Sequence, residues 1–167
     1  EVRTAGNAQS TVIDRVRKLV DAGDIGNALR EAVRGRLNIL ISGGTSSGKT
    51  TFLNALIREI SPDERLILIE DTPEIGLKHE NAVGLIAARS PLGEAHVTAN
   101  DLVSASLRMR PDRIILGELR GPEAFAFLRA VNTGHPGSMT TIHADSVERA
   151  FEQLALLVLE GGSTLQR

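Results

Sequence analysis

Residues 37–50 read LNILISGGTSSGKT, and this stretch decides the fold class. Its first five residues, Leu37–Ile41, form a short apolar run that is typical of a buried strand. Its last eight residues, Gly43–Thr50, match the spacing G-x-x-x-x-G-K-[ST], and helical spacing follows over Thr50–Ile60. A strand, a glycine-rich loop and a helix in this order allow backbone N–H groups to surround phosphate oxygens. The sequence therefore predicts a binding site for a nucleoside triphosphate.

Individual loop residues have predicted roles. The glycines tolerate the unusual backbone angles of a phosphate loop. Lys49 is expected to reach the β- and γ-phosphates, and the Thr50 hydroxyl is expected to ligate Mg²⁺. The alternative is a glycine-rich turn with a solvated lysine, but the chain has only three lysines beside sixteen arginines. The predicted nucleotide-binding residues are Gly43, Gly44, Thr45, Ser46, Ser47, Gly48, Lys49, Thr50 and Thr51.

The rest of the chain alternates apolar runs with helical patterns, which predicts an α/β fold: a mostly parallel sheet with helices on both faces. Two helices precede the first strand, one capped by Ser10 and Thr11 and one by Asp24. We therefore expect a helical segment over residues 1–34 and an α/β domain over residues 35–167. The other predicted strands are Arg65–Glu70, Ala82–Ala87, Arg113–Glu118 and Ser138–His143, and the later helices begin at Thr98, Pro122 and Ser146, the last ending at Gly161–Gly162.

Carboxylates end two of the predicted strands. Glu118 follows an apolar strand, where it could orient or deprotonate an attacking water. The residue before it is Gly117, at a position where many phosphate-binding folds have an aspartate, so a second carboxylate must come from elsewhere. Glu70 and Asp71 are the candidates, provided that their strand neighbours the phosphate loop. Asp71 precedes Thr72-Pro73 and is equally well explained as a turn residue.

Two histidines flank the last predicted strand. His143 lies at its carboxyl end, where it could donate a hydrogen bond to a γ-phosphate and sense its loss. His135 lies in a Gly-Pro-Gly loop before the strand, and a structural role is as well supported for it as a functional one.

Four arginines bracket the strand that ends at Glu118. Ion pairing is the default for each of them, and one could instead reach the phosphate of a neighbouring subunit. The arginines are Arg108, Arg110, Arg113 and Arg120, and the candidate partners are Asp101, Asp112 and Glu123.

Composition excludes several functions. The chain has no cysteine, which excludes disulfides, zinc–thiolate sites and a cysteine nucleophile. Its 167 residues carry a formal net charge of -2, with four phenylalanines and no tyrosine or tryptophan, so direct nucleic-acid binding is not predicted. No apolar run approaches the ~20 residues of a membrane span, and we expect a cytosolic, soluble protein. Because it begins at Glu1 and ends just past a helical pattern, we expect it to be part of a longer protein.

Four segments, in this order, resemble the motifs of the type II/type IV secretion ATPase family. GGTSSGKT resembles its Walker A motif, LILIEDTPEI its acidic Asp box, RMRPDRIILGELRG its Walker B motif, and TGHPGSMTTIHADS its His box. The Walker B resemblance includes glycine in place of aspartate before the glutamate. The residues of these motifs are more similar to the conjugative type IV secretion branch than to pilus retraction motors. They also resemble the tight-adherence pilus branch.

The resemblance implies a RecA-like P-loop ATPase domain within a hexameric ring that uses ATP and Mg²⁺. It implies that Glu118 is the catalytic glutamate, that Glu70 supports metal and water, and that His143, with His135 as a second candidate, contacts the γ-phosphate. It implies secretion or pilus assembly at the cytoplasmic face of the inner membrane, with peripheral attachment through inner-membrane secretion components. We expect the N-terminal domain of the family to be absent here or reduced to the opening helices.

Two other classes of function remain open. A nucleotide-gated interaction module would bind ATP without turnover, and the missing Walker B aspartate favours it. A RecA-like nucleic-acid motor is suggested by the link with conjugation, but the net charge and the absence of tyrosine and tryptophan count against it.

Overall fold

The computed structural model describes residues 2–76, 78–89 and 96–163. Within these ranges, helices alternate with strands from the first strand onward. The helices are α1 (Val2–Asp21), α2 (Ile25–Arg34), α3 (Lys49–Ile57), α4 (Ala99–Ser106), α5 (Glu123–Asn132) and α6 (Val147–Ser163), and a 3₁₀ turn covers Leu107–Met109. The strands are β1 (Ile39–Gly43), β2 (Leu66–Glu70), β3 (Ala82–Ile86), β4 (Ala88–Arg89), β5 (His96–Val97), β6 (Arg113–Leu119) and β7 (Met139–His143).

Five strands form one sheet in the order β1-β7-β6-β2-β3. Every neighbouring pair in this sheet is parallel. The two short strands β4 and β5 pair with each other in antiparallel fashion. Because the five strands run in one direction, their carboxyl ends lie along one edge, where ligands bind in folds of this kind.

Helices cover both faces of the sheet, as predicted. On β2, Leu66 and Leu68 pack in a cluster with side chains of α2 and α3. Ile67 and Ile69 alternate with them and pack in a second cluster with side chains of α4, α5 and α6. All four are at most 2% exposed, which explains why this strand is a continuous apolar run rather than an alternating one.

Several predicted helix and strand ends shift. The prediction that Ser10 and Thr11 cap the first helix is wrong, because α1 continues upstream to Val2 and both residues lie inside it. β1 extends to Gly43, since that residue still pairs with β7. The caps at Asp24 and Thr98 are confirmed: the Asp24 side chain accepts from the backbone of Asn27, and Thr98 forms a capping box.

The Gly161–Gly162 pair does not end the last helix. α6 continues to Ser163. Gly161 is buried against the start of α5, and a Cβ there would lie 2.6 Å from the carbonyl oxygen of Pro122. The glycine therefore allows two helices to approach closely, and residues 164–167 of the expected 35–167 domain lie outside the described residues.

In the part of the chain that the structure describes, no helix combines the length and the apolar character that crossing a bilayer requires.

A buried arginine ties the amino-terminal edge of the sheet together. Arg113, at the start of β6, has no exposed side-chain surface. Its Nε and one terminal nitrogen donate to the two carboxylate oxygens of Glu64, at 2.8 and 2.7 Å. The other terminal nitrogen donates to the carbonyl oxygens of Val33, at 2.8 Å, and Gly137, at 3.4 Å. One guanidinium thus links β6 with the end of α2 and with the segments preceding β2 and β7.

Arg113→Met is expected to destabilise the protein by about 3–5 kcal/mol, because it leaves Glu64 and two buried carbonyls without this donor. Arg30→Gln, which removes an exposed arginine paired with Glu59, is the control and should cost at most about 1 kcal/mol. Urea denaturation of the two variants and the wild type measures both values. Equal stabilities for the two variants would contradict the linking role of Arg113.

Glu64 should make stability depend on pH in the acid range. Burial would raise the pKa of Glu64, but the hydrogen bonds and charge of Arg113, with the charge of Arg36, lower that pKa below its usual value of 4.5. A depressed pKa stabilises the folded state above about pH 4.5, and that contribution is lost as the pH falls through the folded-state pKa. Urea midpoints measured from pH 7 down to pH 3 should therefore fall less steeply in Glu64→Gln than in the wild type.

Candidate nucleotide-binding site

The phosphate loop joins β1 to α3 with two residues in the left-handed conformation. Ser46 has φ +58° and Gly48 has φ +87°, which turns successive N–H groups toward one side of the loop. Gly48 is also the N-cap of α3 and offers no side chain to accept from the first turn of that helix. The first N–H groups of α3 therefore remain available for an anion, and the helix dipole favours negative charge at that point.

Lys49 lies over this loop. Its Nζ donates to the carbonyl oxygens of Gly43, at 2.9 Å, and Gly44, at 2.7 Å. The Ser47 hydroxyl also donates to Gly44, at 2.8 Å. The lysine ammonium thus lies against the first two residues of the loop.

A cleft of about 1450 Å³ opens along the carboxyl ends of the strands. Lys49 and Thr50 line it, together with Glu70, Glu118 and His143. His143 reaches it because Gly43 and His143 are register partners at the ends of β1 and β7. The cleft brings together residues that are far apart in the sequence.

The role expected for Glu70 required its strand to neighbour the phosphate-loop strand β1, and it does not. The strand of Glu118 does not neighbour β1 either. β7 separates β1 from β6, and β2 lies one strand further on. Three strand spacings place β2 about 14 Å from β1. A carboxylate on β2 therefore needs an intervening segment to reach the phosphate loop.

Glu70 shapes that segment. It is only 6% exposed, and its Oε1 accepts from the backbone N–H groups of Glu74 and Ile75, both at 2.9 Å. Its side chain also crosses Gly117 on the neighbouring strand, where an added Cβ would lie 3.3 Å from Glu70 Cγ. A side chain at position 117 would therefore crowd the buried glutamate side chain of β2.

Glu74 is a site residue that the sequence reasoning missed. Its carboxylate accepts a hydrogen bond of 3.3 Å from the Thr50 hydroxyl, the group expected to ligate Mg²⁺. The turn held by Glu70 brings Glu74 back to the phosphate loop. The available signal was its position within EDTPE, a second glutamate four residues after Glu70.

Glu118 lies at the other side of the cleft with its side chain 22% exposed. Nε of Arg120 donates to Oε2 at 2.6 Å, and one terminal nitrogen of Arg120 lies 2.5 Å from the same oxygen. The hydrogen bond with Glu118 raises the pKa of Arg120 above its usual value against the opposing effect of burial, and the charges of Glu118, Asp71 and Glu74 also raise it. The pair was not among the sequence-based alternatives.

Thr141 contributes to the position of Glu118. The β6–β7 pairing is regular up to Leu116 and shifts before Leu119. At this irregularity the buried Thr141 hydroxyl donates to the Gly117 carbonyl at 2.8 Å. A side-chain hydrogen bond thus takes the place of a backbone hydrogen bond of the sheet next to Glu118. Strand irregularities of this kind are common near functional sites.

The structure does not bring His135 to the cleft. His135 precedes β7, at the opposite end of that strand from His143, and its Nδ1 lies 3.0 Å from the Pro111 carbonyl oxygen. The structural reading of this histidine is therefore the better one.

Ion pairing, the default expected for these arginines, is confirmed for Arg113 and Arg120, but the partners differ from the three candidate carboxylates, which make other contacts. Asp101 completes the Thr98 capping box. Asp112 accepts from the backbone N–H of Arg65 at 2.7 Å, and Glu123 accepts from the backbone N–H groups of Arg120 and Gly121. Arg113 pairs with Glu64 and Arg120 with Glu118, while Arg108 and Arg110 are exposed.

These residues fit a magnesium–triphosphate group. The Thr50 hydroxyl and nearby carboxylates are hard oxygen donors of the kind that Mg²⁺ takes. Among the described residues, no three His, Asp or Glu side chains converge as an all-protein metal site would require. The acidic lining (Glu70, Asp71, Glu74, Glu118, Glu123 and Glu160) gives a further reason to expect a counter-cation.

A five-stranded parallel sheet with this loop after its first strand defines a P-loop nucleotide-binding protein. The family model described as "Type II/IV secretion system protein" matches residues 10–164. The chain therefore belongs to the type II/IV secretion system protein family.

Relatives support the conjugative branch. The chain is 52% identical over 141 residues to a type IV secretion system protein VirB11 from Bartonella henselae, covering 83% of this chain and 40% of that protein. It is 45% identical over 144 residues to the conjugal transfer protein TrbB from Rhizobium radiobacter, covering 84% and 43%. The chain thus spans less than half the length of these relatives.

A solved structure is similar over nearly the whole chain. The VirB11 ATPase from the Brucella suis type IV secretion system, in complex with sulphate, matches with a TM-score of 0.83 and 45% identity. The match covers 92% of this chain and 44% of that one. The similarity confirms the α/β fold with its mostly parallel sheet.

Glu70→Ala is expected to destabilise the protein by about 1–3 kcal/mol, because it leaves the N–H groups of Glu74 and Ile75 without an acceptor near a buried strand end. Glu70→Gln keeps an oxygen acceptor of the same length and is the matched control. Hydrogen exchange at the amides of residues 74 and 75 should accelerate in the alanine variant and stay near wild type in the glutamine variant. Unchanged exchange in Glu70→Ala would show that the turn does not depend on this carboxylate.

Proposed function

We propose that this chain is the nucleotide-hydrolysing part of a type IV secretion motor, and that it converts ATP and water to ADP and phosphate. The carrying observation is the convergence of Lys49, Thr50, Glu118 and His143 on one cleft, in a member of the type II/IV secretion system family. Residues 35–167 form the ATPase domain, and residues 1–34 lead into it. Because the matched relatives are more than twice as long, these statements apply to the assembled full-length protein.

Each residue has a task that its position supports. Lys49 and the N–H groups of the loop bind the β- and γ-phosphates, and the Thr50 hydroxyl holds Mg²⁺. When bound, Mg²⁺ neutralises phosphate charge and polarises the phosphoryl group. Glu118 orients the attacking water and accepts its proton, and His143 donates to the γ-phosphate. Glu70 acts by holding the turn that presents Glu74 to Thr50.

The charge of the cleft supports oligomerisation. Among described lining residues, the cationic side chains are Lys49 and Arg120, and the acidic ones outnumber them. A triphosphate adds further negative charge, which favours Mg²⁺ and a cation from a neighbouring subunit. We therefore propose a homo-oligomeric ring, a hexamer by family resemblance, bound to inner-membrane secretion components at the cytoplasmic face.

A nucleotide-gated module without turnover is the second candidate. The observation that favours it is the Glu118–Arg120 pair, because Oε2 of Glu118 is already occupied by the Arg120 guanidinium and is not free to orient a water. The two candidates differ in whether Glu118 is required for a measurable rate.

In the full-length protein, Glu118→Gln is expected to lower kcat for Mg-ATP hydrolysis by about 100- to 10,000-fold while nucleotide still binds. Hydrolysis per subunit, measured as a function of protein concentration, should rise with concentration if sites form on assembly. Glu59→Gln is the matched control, since Glu59 is also partly buried and paired with arginine but lies outside the cleft. A normal rate in Glu118→Gln would reject the catalytic assignment, and a wild type that binds nucleotide without turnover would favour the gated module.

A further inference from the structure

Arg120 combines a hydrogen-bonded backbone with a long, exposed side chain at the edge of the cleft. It follows β6 directly, and its backbone N–H donates to Glu123 Oε1 at 2.7 Å. The N–H of Gly121 donates to the same oxygen at 2.8 Å. The Arg120 side chain is 66% exposed and lines the same cleft as the phosphate loop. The guanidinium can therefore change partner without any change in the backbone.

The present partner of Arg120 is the carboxylate expected to act as the base. Nε of Arg120 donates to Oε2 of Glu118, one terminal nitrogen lies 2.5 Å from the same oxygen, and the other terminal nitrogen lies 3.9 Å from Asp71. The guanidinium thus occupies Oε2 of Glu118. As long as this pair persists, that oxygen is not free to accept a hydrogen bond from an attacking water.

The chemistry of the pair favours exchange with phosphate. The Arg120 side chain is 66% exposed, so water can solvate its guanidinium when the pair breaks, and the cost of breaking it is limited. A terminal phosphate offers more negative charge than a carboxylate and suits the planar guanidinium fork. Lys49 and Arg120 are the cationic side chains among the described lining residues, and Lys49 already has the phosphates held by the loop as its proposed ligand. Among these lining residues, Arg120 is therefore the further cation that can bind the terminal phosphate.

We infer that Arg120 distinguishes ATP from ADP: its guanidinium leaves Glu118 for the terminal phosphate when a triphosphate binds, and this exchange releases Glu118 to act on water. The inference rests on the proposed function. It adds that Arg120 couples recognition of the γ-phosphate to the release of Glu118. With a diphosphate bound, Arg120 stays on Glu118.

The test compares the binding of ADP and of a non-hydrolysable ATP analogue, each with Mg²⁺, to the full-length protein by calorimetry. Arg120→Gln should weaken binding of the analogue at least about tenfold and leave binding of ADP unchanged. Arg120→Lys keeps a positive charge but loses the fork, so its loss should be intermediate. Arg34→Gln is the matched control, because Arg34 is also 66% exposed and paired with a carboxylate, Glu59, away from the cleft.

A second variant tests the competition directly. Glu118→Gln removes the charge that holds Arg120, so the analogue should bind severalfold more tightly than to wild type, and adding Arg120→Gln should abolish that gain. Equal affinities for the analogue in wild type and Arg120→Gln would overturn the inference, with the proposed function intact if wild type still hydrolyses ATP. If wild type binds neither nucleotide, the proposed function and the inference both fail.

Discussion

The buried Arg113 guanidinium is the contact on which the arrangement of the sheet depends. It joins β6 to the segment before β2 through Glu64, and to the end of α2 and the turn before β7 through two carbonyls. A buried cation must be fully paired, so the elements that supply its partners are held in one arrangement. The carboxyl ends of β2, β6 and β7 lie at the other ends of the strands thus aligned, and these are the ends that carry the candidate site.

Within the sheet aligned in this way, a few side-chain contacts position the residues of the cleft. Thr141 holds the irregular part of β6, from which Glu118 projects. Glu70 fills the space beside Gly117 and folds the following turn toward Thr50. These contacts are made by side chains that cross from one strand to the next, so the geometry of each candidate residue depends on the strand beside it.

Local patterns predicted the elements well and the contacts between them less well. The loop of Gly43–Thr50, the parallel sheet and the caps at Asp24 and Thr98 follow from short stretches of sequence, because turn chemistry and apolar periodicity are local. The pairs of Arg113 and Arg120 were missed. For Arg113, the partner Glu64 lies 49 residues away along the chain, and no local pattern relates the two. For Arg120, the partner is two residues away, but the choice of Glu118 over Glu123 depends on how the loop turns into α5.

By itself, the sequence determined the class of this protein: a strand, a phosphate loop and a helix, followed by strands that end in Glu70, Glu118 and His143. Only the tertiary structure decided that β7 lies between β1 and β6, that Glu74 rather than Glu70 contacts Thr50, and that His135 lies at the opposite edge. The reason is physical. Which residue types a loop or strand needs is set by its own backbone, whereas strand order and side-chain partners are set by the packing of all elements together.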